Sequence, residues 1–240
     1  HMPRHSKHIV IEEIKNARSA FSLLHPDTLE EKSLPAVPDG TLTAIAPLPG
    51  EEQWIGVSYG SNQPRDLVLY PPNKKFEAHT SISNVWSQTK LLPRQLVQTE
   101  NFYWNSVDEL KIQGWLYKTR VEPRGTIVCV HGGPSGHSED SLDPEIQFYL
   151  SLGFNVLDPN YRGSTGFDLS FQESIKVDGW GAKEQEDIIY GVKSLIAAGI
   201  AQKGKVGITG TSYGGYSAWH AITHYPTELI VAAVPICGMT

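Results

Sequence analysis

Only two cysteines occur among the 240 residues, Cys129 and Cys237, and both stand in apolar runs, TIVCV and VPICG. A disulfide scaffold is therefore excluded, and two small buried thiols are expected instead. No apolar stretch approaches the roughly 20 residues that a membrane-spanning helix needs, and the N-terminus has no signal-peptide pattern. A cytoplasmic protein without a membrane partner is the expectation. Lysine and arginine number 20 against 26 acidic residues, a net charge of −6, which lacks the basic footprint that nucleic acid requires. The nine histidines are scattered, with no H-E-x-x-H and no paired cysteines, and no G-x-G-x-x-G follows a strand. Neither a metal nor any other cofactor is expected. What remains, 40% hydrophobic and 19% charged, is a globular composition, long enough for one large domain or two small ones.

The chain is written in two styles. Up to about Leu92 it is rich in Pro, Asn, Ser and short alternating apolar runs, with no helical periodicity, and reads as all-β. It also repeats: HIVIEEIKNARSAFSLLHPD (8–27) lies over WIGVSYGSNQPRDLVLYPPN (54–73) at one offset of 46 (55−9), matching Ile9 with Ile55, Asn16 with Asn62, Leu23 with Leu69 and Pro26 with Pro72. That period is close to the roughly 40–50 residues of a propeller blade. The alternative is a pair of unrelated hairpins that share turn chemistry. On the propeller reading, residues 1–92 are the C-terminal part of a β-propeller domain, since two blades cannot close a ring.

From Pro93 the pattern changes. QLVQTENFYWNSVDELKIQGWLYKT predicts a hairpin turning at Ser106–Glu109, followed by the runs GTIVCV, FNVLD, KVGITG and ELIVAAVPI alternating with helical segments. Nearly all-apolar strands separated by helices imply a mainly parallel sheet covered on both faces. One helix is expected near Pro144–Leu152, with Asp143 as cap and Gly153 as stop. A second is expected near Lys183–Ala198, with Ile188, Val192, Leu195 and Ile196 on one face, Glu184, Glu186 and Asp187 at its positive end, and Gly199 after it.

Three loops at the carboxyl ends of these strands carry the chemistry. Gly210-Thr211-Ser212-Tyr213-Gly214 fits G-x-S-x-G between an apolar strand and a helix, the context in which a strained turn presents a serine hydroxyl clear of the sheet. Its glycines answer crowding, because side chains two positions either side of Ser212 would meet neighbouring backbone. His131-Gly132-Gly133-Pro134 follows GTIVCV, in the slot where such sheets place an oxyanion donor, so the amides of Gly133 and Tyr213 are the candidate pair. His131 itself is expected to be structural, bonded to nearby backbone. In the third loop, Asp158 to Phe167, Arg162 is expected to pair with an acid inside the domain rather than with a substrate carboxylate.

Together HGGP (131–134), NYRGSTGF (160–167), DGWG (178–181) with the later Asp187, and GTSYGGYSA (210–218) resemble the prolyl oligopeptidase family of serine peptidases, most closely its acylaminoacyl-peptidase and dipeptidyl-aminopeptidase-like branch. The resemblance covers residues 93 to 240 strongly and the repeat more weakly. It implies an α/β-hydrolase domain, here the N-terminal part of one with its C-terminal strands missing, beneath a propeller that filters access. It also implies cleavage of short peptides, with Ser212 as nucleophile and Gly133 and Tyr213 as oxyanion donors.

A serine needs a histidine to take its proton and an acid to orient that histidine. In this fold both follow the serine, yet downstream of Ser212 the only acid is Glu228 and no histidine follows it. His220 and His224 lie on the helix leaving the turn, ~12 and ~18 Å along its axis, too far to act as base. The expectation is a piece of a longer peptidase, with the acid and base beyond residue 240 or on a second polypeptide. A carboxylesterase of the same fold and a catalytically inactive relative are the alternatives.

Overall fold

The computed structural model describes residues 8–34, 39–50, 53–71, 79–90 and 92–239. Pro72, the last matched position of the repeat, lies outside them. The chain divides into two compact units, one of residues 1–96 with 139–142, the other of residues 97–138 with 143–240.

In the first unit β1 (Ile9–Lys15), β2 (Arg18–Leu24) and β3 (Glu31–Ser33) form an antiparallel three-stranded sheet. A four-stranded antiparallel sheet follows, in the order β4 (Thr41–Pro47), β5 (Trp54–Gly60), β6 (Gln63–Tyr70) and β7 (Thr80–Ser81). Both copies of the repeat are hairpins, but their pairing differs by a residue: Val10 faces Leu23, whereas Trp54 faces Tyr70 and Ile55 faces Leu69. The first hairpin closes through Asn16 and Ala17, both at positive φ (52° and 56°), the mirror-image turn that suits a right-twisted strand pair. Val10, Leu42, Ile45, Trp54, Val68 and Tyr70 make one core. Asp140 is buried in this unit, accepting the amides of Gly40 (2.9 Å) and Ser61 (2.8 Å) and pairing with Arg18 (3.2 Å).

The second unit is built on a six-stranded sheet. Its members are β8 (Glu100–Asn105), β9 (Lys111–Tyr117), β10 (Gly125–Val130), β11 (Phe154–Asn160), β12 (Val206–Thr211) and β13 (Ala232–Ile236), arranged β13-β12-β10-β11-β9-β8. β10 to β13 run parallel, and the β8–β9 hairpin joins antiparallel to β11. The sheet is thus mixed, with a parallel block where the sequence alternates strand and helix. Val156 and Leu157 are neighbours on β11 and so point to opposite faces; both are fully buried, and both faces are covered there.

The helices follow local signals. α1 (Pro144–Ser151) is capped by Asp143, whose carboxylate accepts the amides of Glu145 (2.7 Å) and Ile146 (3.2 Å), and Gly153 at φ 89° ends the turn after it. α4 (Lys183–Ala197) buries Ile188, Val192 and Leu195, and Gly199 follows at φ 71°. α5 (Tyr213–His224) packs on β12 and β13. Two short helices, α2 (Leu169–Glu173) and α3 (Ile175–Asp178), lie in the third loop, too brief for periodicity to reveal.

One expectation is corrected. Both cysteines are free, but Cys129 is only half-buried and Cys237 is exposed, because the chain leaves β13 there at a positive φ of 49° and β13 lies at the edge of the sheet. No helix of the described residues is long and apolar enough to cross a membrane.

Candidate active site

β12 delivers its chain to Thr211 and α5 begins at Tyr213, so a single residue, Ser212, makes the turn between strand and helix. It adopts φ 58°, ψ −115°, a left-handed conformation that non-glycine residues avoid, and it is exposed. Its own amide is committed to the carbonyl of Ile236 on β13 (2.9 Å), and its carbonyl receives the amide of Tyr216 (3.0 Å). The backbone of the turn is fixed from both sides.

The flanking glycines show why no side chain is accommodated. A Cβ on Gly214 would stand 1.9 Å from the carbonyl oxygen of Val130, and one on Gly210 would stand 2.4 Å from the same oxygen. Both obstacles are backbone, which cannot swing aside. The turn is therefore pressed against the end of β10, and the crowding expected from the motif is the observed geometry.

The chain beyond Val130 runs past the same place. A Cβ on Gly132 would lie 3.0 Å from the carbonyl oxygen of Thr211 and 3.5 Å from Cβ of Ser212, so the HGGP loop abuts the serine turn. Gly133 is exposed at φ 135°, a value that side chains rarely adopt. The amide of Tyr213 opens α5 and is one of the four that a helix leaves without an internal acceptor. The structure thus brings the two loops holding Ser212, Tyr213 and Gly133 together.

His131 is structural, as its position suggested. Its ring stacks on Tyr161 (centroids 4.4 Å apart, 13° between planes), with Nδ1 2.8 Å from the carbonyl of Gly132 and Nε2 2.9 Å from Oγ of Ser164. Burial lowers its pKa to about 4, so the ring is neutral and carries one proton. A carbonyl only accepts, so that proton is on Nδ1 and Nε2 receives the Ser164 hydroxyl. The Tyr161 carbonyl, also within reach of that hydroxyl, keeps the Ser164 amide (3.0 Å) as its donor.

Arg162 likewise turns inward. Its guanidinium forks onto Asp108 (2.8 and 2.9 Å) and Asp187 (2.8 and 2.9 Å), and its amide reaches Asp187 as well (2.8 Å). Arg162 holds the Asp108 carboxyl well below the usual carboxylate range. The place of Asp187 on α4 suits the helix dipole, yet its partner is a buried arginine.

Sequence reasoning missed several supports. Asp158, at the carboxyl end of β11, accepts the Ser138 hydroxyl (2.5 Å) beside a cavity of about 220 Å³ also lined by Cys129, Gly132 and Thr211, and burial pushes its carboxyl up to about 7. Asn160 accepts the Ser138 amide (2.7 Å) and donates to Gln113 (2.7 Å). Glu184, fully buried, accepts the phenol of Tyr213 (2.8 Å). None of these contacts has a spacing signature, since each joins residues 20 or more apart in the chain.

His220 and His224 stack on each other along α5 (centroids 4.0 Å), and Nδ1 of His224 contacts the carbonyl of His220 (3.0 Å). They face one another and the helix backbone, and the helix carries both away from Ser212.

Residues 140–240 match the family described as Prolyl oligopeptidase family. Dipeptidyl peptidase family member 6 of Caenorhabditis elegans is 28% identical over 226 residues, 84% of this chain and 30% of that protein. Acylamino-acid-releasing enzyme 2 of Oryza sativa subsp. japonica is 35% identical over 119 residues, 48% of this chain and 15% of that protein. The solved Pyrococcus horikoshii acylaminoacyl peptidase superposes with a TM-score of 0.79 at 24% identity, over 98% of this chain and 36% of that one, a likeness of fold. The chain thus spans about a third or less of each of these relatives. The serine turn thus lies within residues 140–240, the part of the chain that matches the prolyl oligopeptidase family.

Proposed function

We propose that this chain is part of a serine peptidase that hydrolyses short peptides through an acyl-enzyme on Ser212. Attack of Oγ on the scissile carbonyl forms a tetrahedral oxyanion, which the amides of Gly133 and Tyr213 stabilise. Collapse expels the amine and leaves the acyl ester on Ser212; water then releases the acid. The observation that carries this reading is the exposed Ser212 held at φ 58° between β12 and α5, with the glycine loop 131–134 against it. The general base and its acid partner come from outside these 240 residues, because His220 and His224 are carried away along α5. The all-β first unit, read as the closing part of a propeller, favours peptides over esters of other kinds, since a propeller would exclude folded proteins.

The test is turnover by the intact protein. Peptide amides and p-nitrophenyl esters should both be hydrolysed, and Ser212→Ala should lower both rates by at least about a thousandfold. Ester turnover without any amide turnover would make the protein a carboxylesterase. Unchanged turnover in Ser212→Ala would end the hydrolase reading.

A further inference from the structure

Glu184 is fully buried and forms no ion pair among the described residues; every donor it meets is neutral. A carboxylate in that setting is a cost to folding unless its hydrogen bonds are complete. They are numerous. Oε1 accepts the amide of Gly181, the side-chain amide of Gln185 (3.1 Å) and the phenol of Tyr213 (2.8 Å), and Oε2 accepts the amide of Ala182 (3.0 Å).

The same pair of residues reaches Tyr213 from its other end. Gln185 Nε2 also donates to Oγ of Ser217 (3.1 Å), whose hydroxyl donates to the carbonyl of Tyr213 (3.2 Å). Tyr213 is therefore held at both phenol and backbone by the first turn of α4. Its ring is 1% exposed, packed among Tyr161, Trp180 and Tyr216 (centroids 6.2, 6.0 and 5.4 Å away). The loop that Glu184 clamps is pressed against α5 as well: a Cβ on Gly181, which sits at φ 84°, would lie 2.2 Å from the hydroxyl of Tyr216.

From this we infer that Glu184 is a positioning residue for the oxyanion site, acting through the Tyr213 side chain to fix where the Tyr213 amide points. The inference rests on the reading of Ser212 as nucleophile. An oxyanion donor acts only if it stands at hydrogen-bond distance from where charge develops, and a small displacement is expensive. Tyr213 lies one residue from the strained serine, at the open end of a helix, where backbone hydrogen bonds do not fix its amide. The clamp from α4 supplies that constraint.

The experiment uses the intact protein, with sites counted by fluorophosphonate titration so that misfolded molecules drop out. Glu184→Met, Tyr213→Phe and the double variant are compared on one peptide amide. Each single change should lower kcat per titrated site about tenfold with KM within about twofold, and the double should be no worse than the poorer single, because both break one connection. Tyr213→Phe removes one hydroxyl and keeps the ring, so it carries the test if Glu184→Met does not fold. Variants with kcat within about twofold of the parent, changes confined to KM, or losses that multiply in the double would each overturn the inference. In those cases a dead Ser212→Ala would leave the proposed function standing, whereas an active Ser212→Ala would reject that function itself.

Discussion

Asp158 and His131 lie in the same part of the second unit and respond to pH with opposite sign. Burial raises the Asp158 carboxyl from 3.8 to about 7, so the folded state holds its proton more tightly than the unfolded chain does. Its contribution is present below pH 3.8 and is lost as pH rises through 7. His131 is lowered from 6.5 to about 4, so its contribution is present above 6.5 and is lost as pH falls toward 4. Replacing Asp158 by Asn keeps a polar partner for Ser138 and removes the titration. Chemical denaturation should show Asp158→Asn gaining stability over the parent between pH 4 and pH 8, by roughly 2–4 kcal/mol. A difference independent of pH would mean that the carboxyl is as well solvated as in the unfolded chain. At this scale the serine turn was legible, because G-x-S-x-G encodes a steric demand that Gly210 and Gly214 meet against Val130. Asp158 was not, since an acid at the end of a strand looks the same whether it faces water or a cavity.

Between elements, the Arg162 cluster joins β11's outgoing loop, the β8–β9 turn and the first turns of α4. Its arginine side chain is 4% exposed and Asp187 0%, so both charges depend on each other, while Asp108 is 34% exposed and adds less. Arg162→Ala should destabilise the second unit by about 3–5 kcal/mol, because it strands a buried carboxylate. Arg162→Met with Asp187→Leu should cost less than that single change, a comparison thermal or denaturant unfolding can make. Helix ends with dedicated residues were readable: Asp143-Pro144 before α1, and Gly153 and Gly199 after α1 and α4. The acids at the start of α4 were readable in kind but not in role. Dipole complementarity explains an acid near a helix N-terminus, and nothing local tells Glu184, bound for Tyr213, from Glu186, which accepts from Tyr225 (3.1 Å). α2 and α3 escaped because five and four residues do not establish a period.

For the molecule as a whole, the parallel block, its order and the loops at its carboxyl edge follow from apolar strands alternating with helices, which admits few topologies. The antiparallel attachment of β8–β9 does not, because a hairpin's own pattern does not say which strand it joins. The offset of 46 in the first unit reflects two hairpins, although their registers differ by a residue and only local pairing could reveal that. On the proposed reading α5 does not supply the base. His220→Ala with His224→Ala should therefore leave the fluorophosphonate labelling rate of the intact protein within about twofold of the parent. A large loss would place the base on α5 after all. The central claim concerns the hydroxyl of Ser212, and mass-spectrometric mapping of the fluorophosphonate adduct on the intact, folded protein tests it most directly. A single adduct on Ser212, abolished by unfolding before the reagent is added, is the predicted result; a folded protein that takes no adduct, or takes it on another residue, would contradict the account.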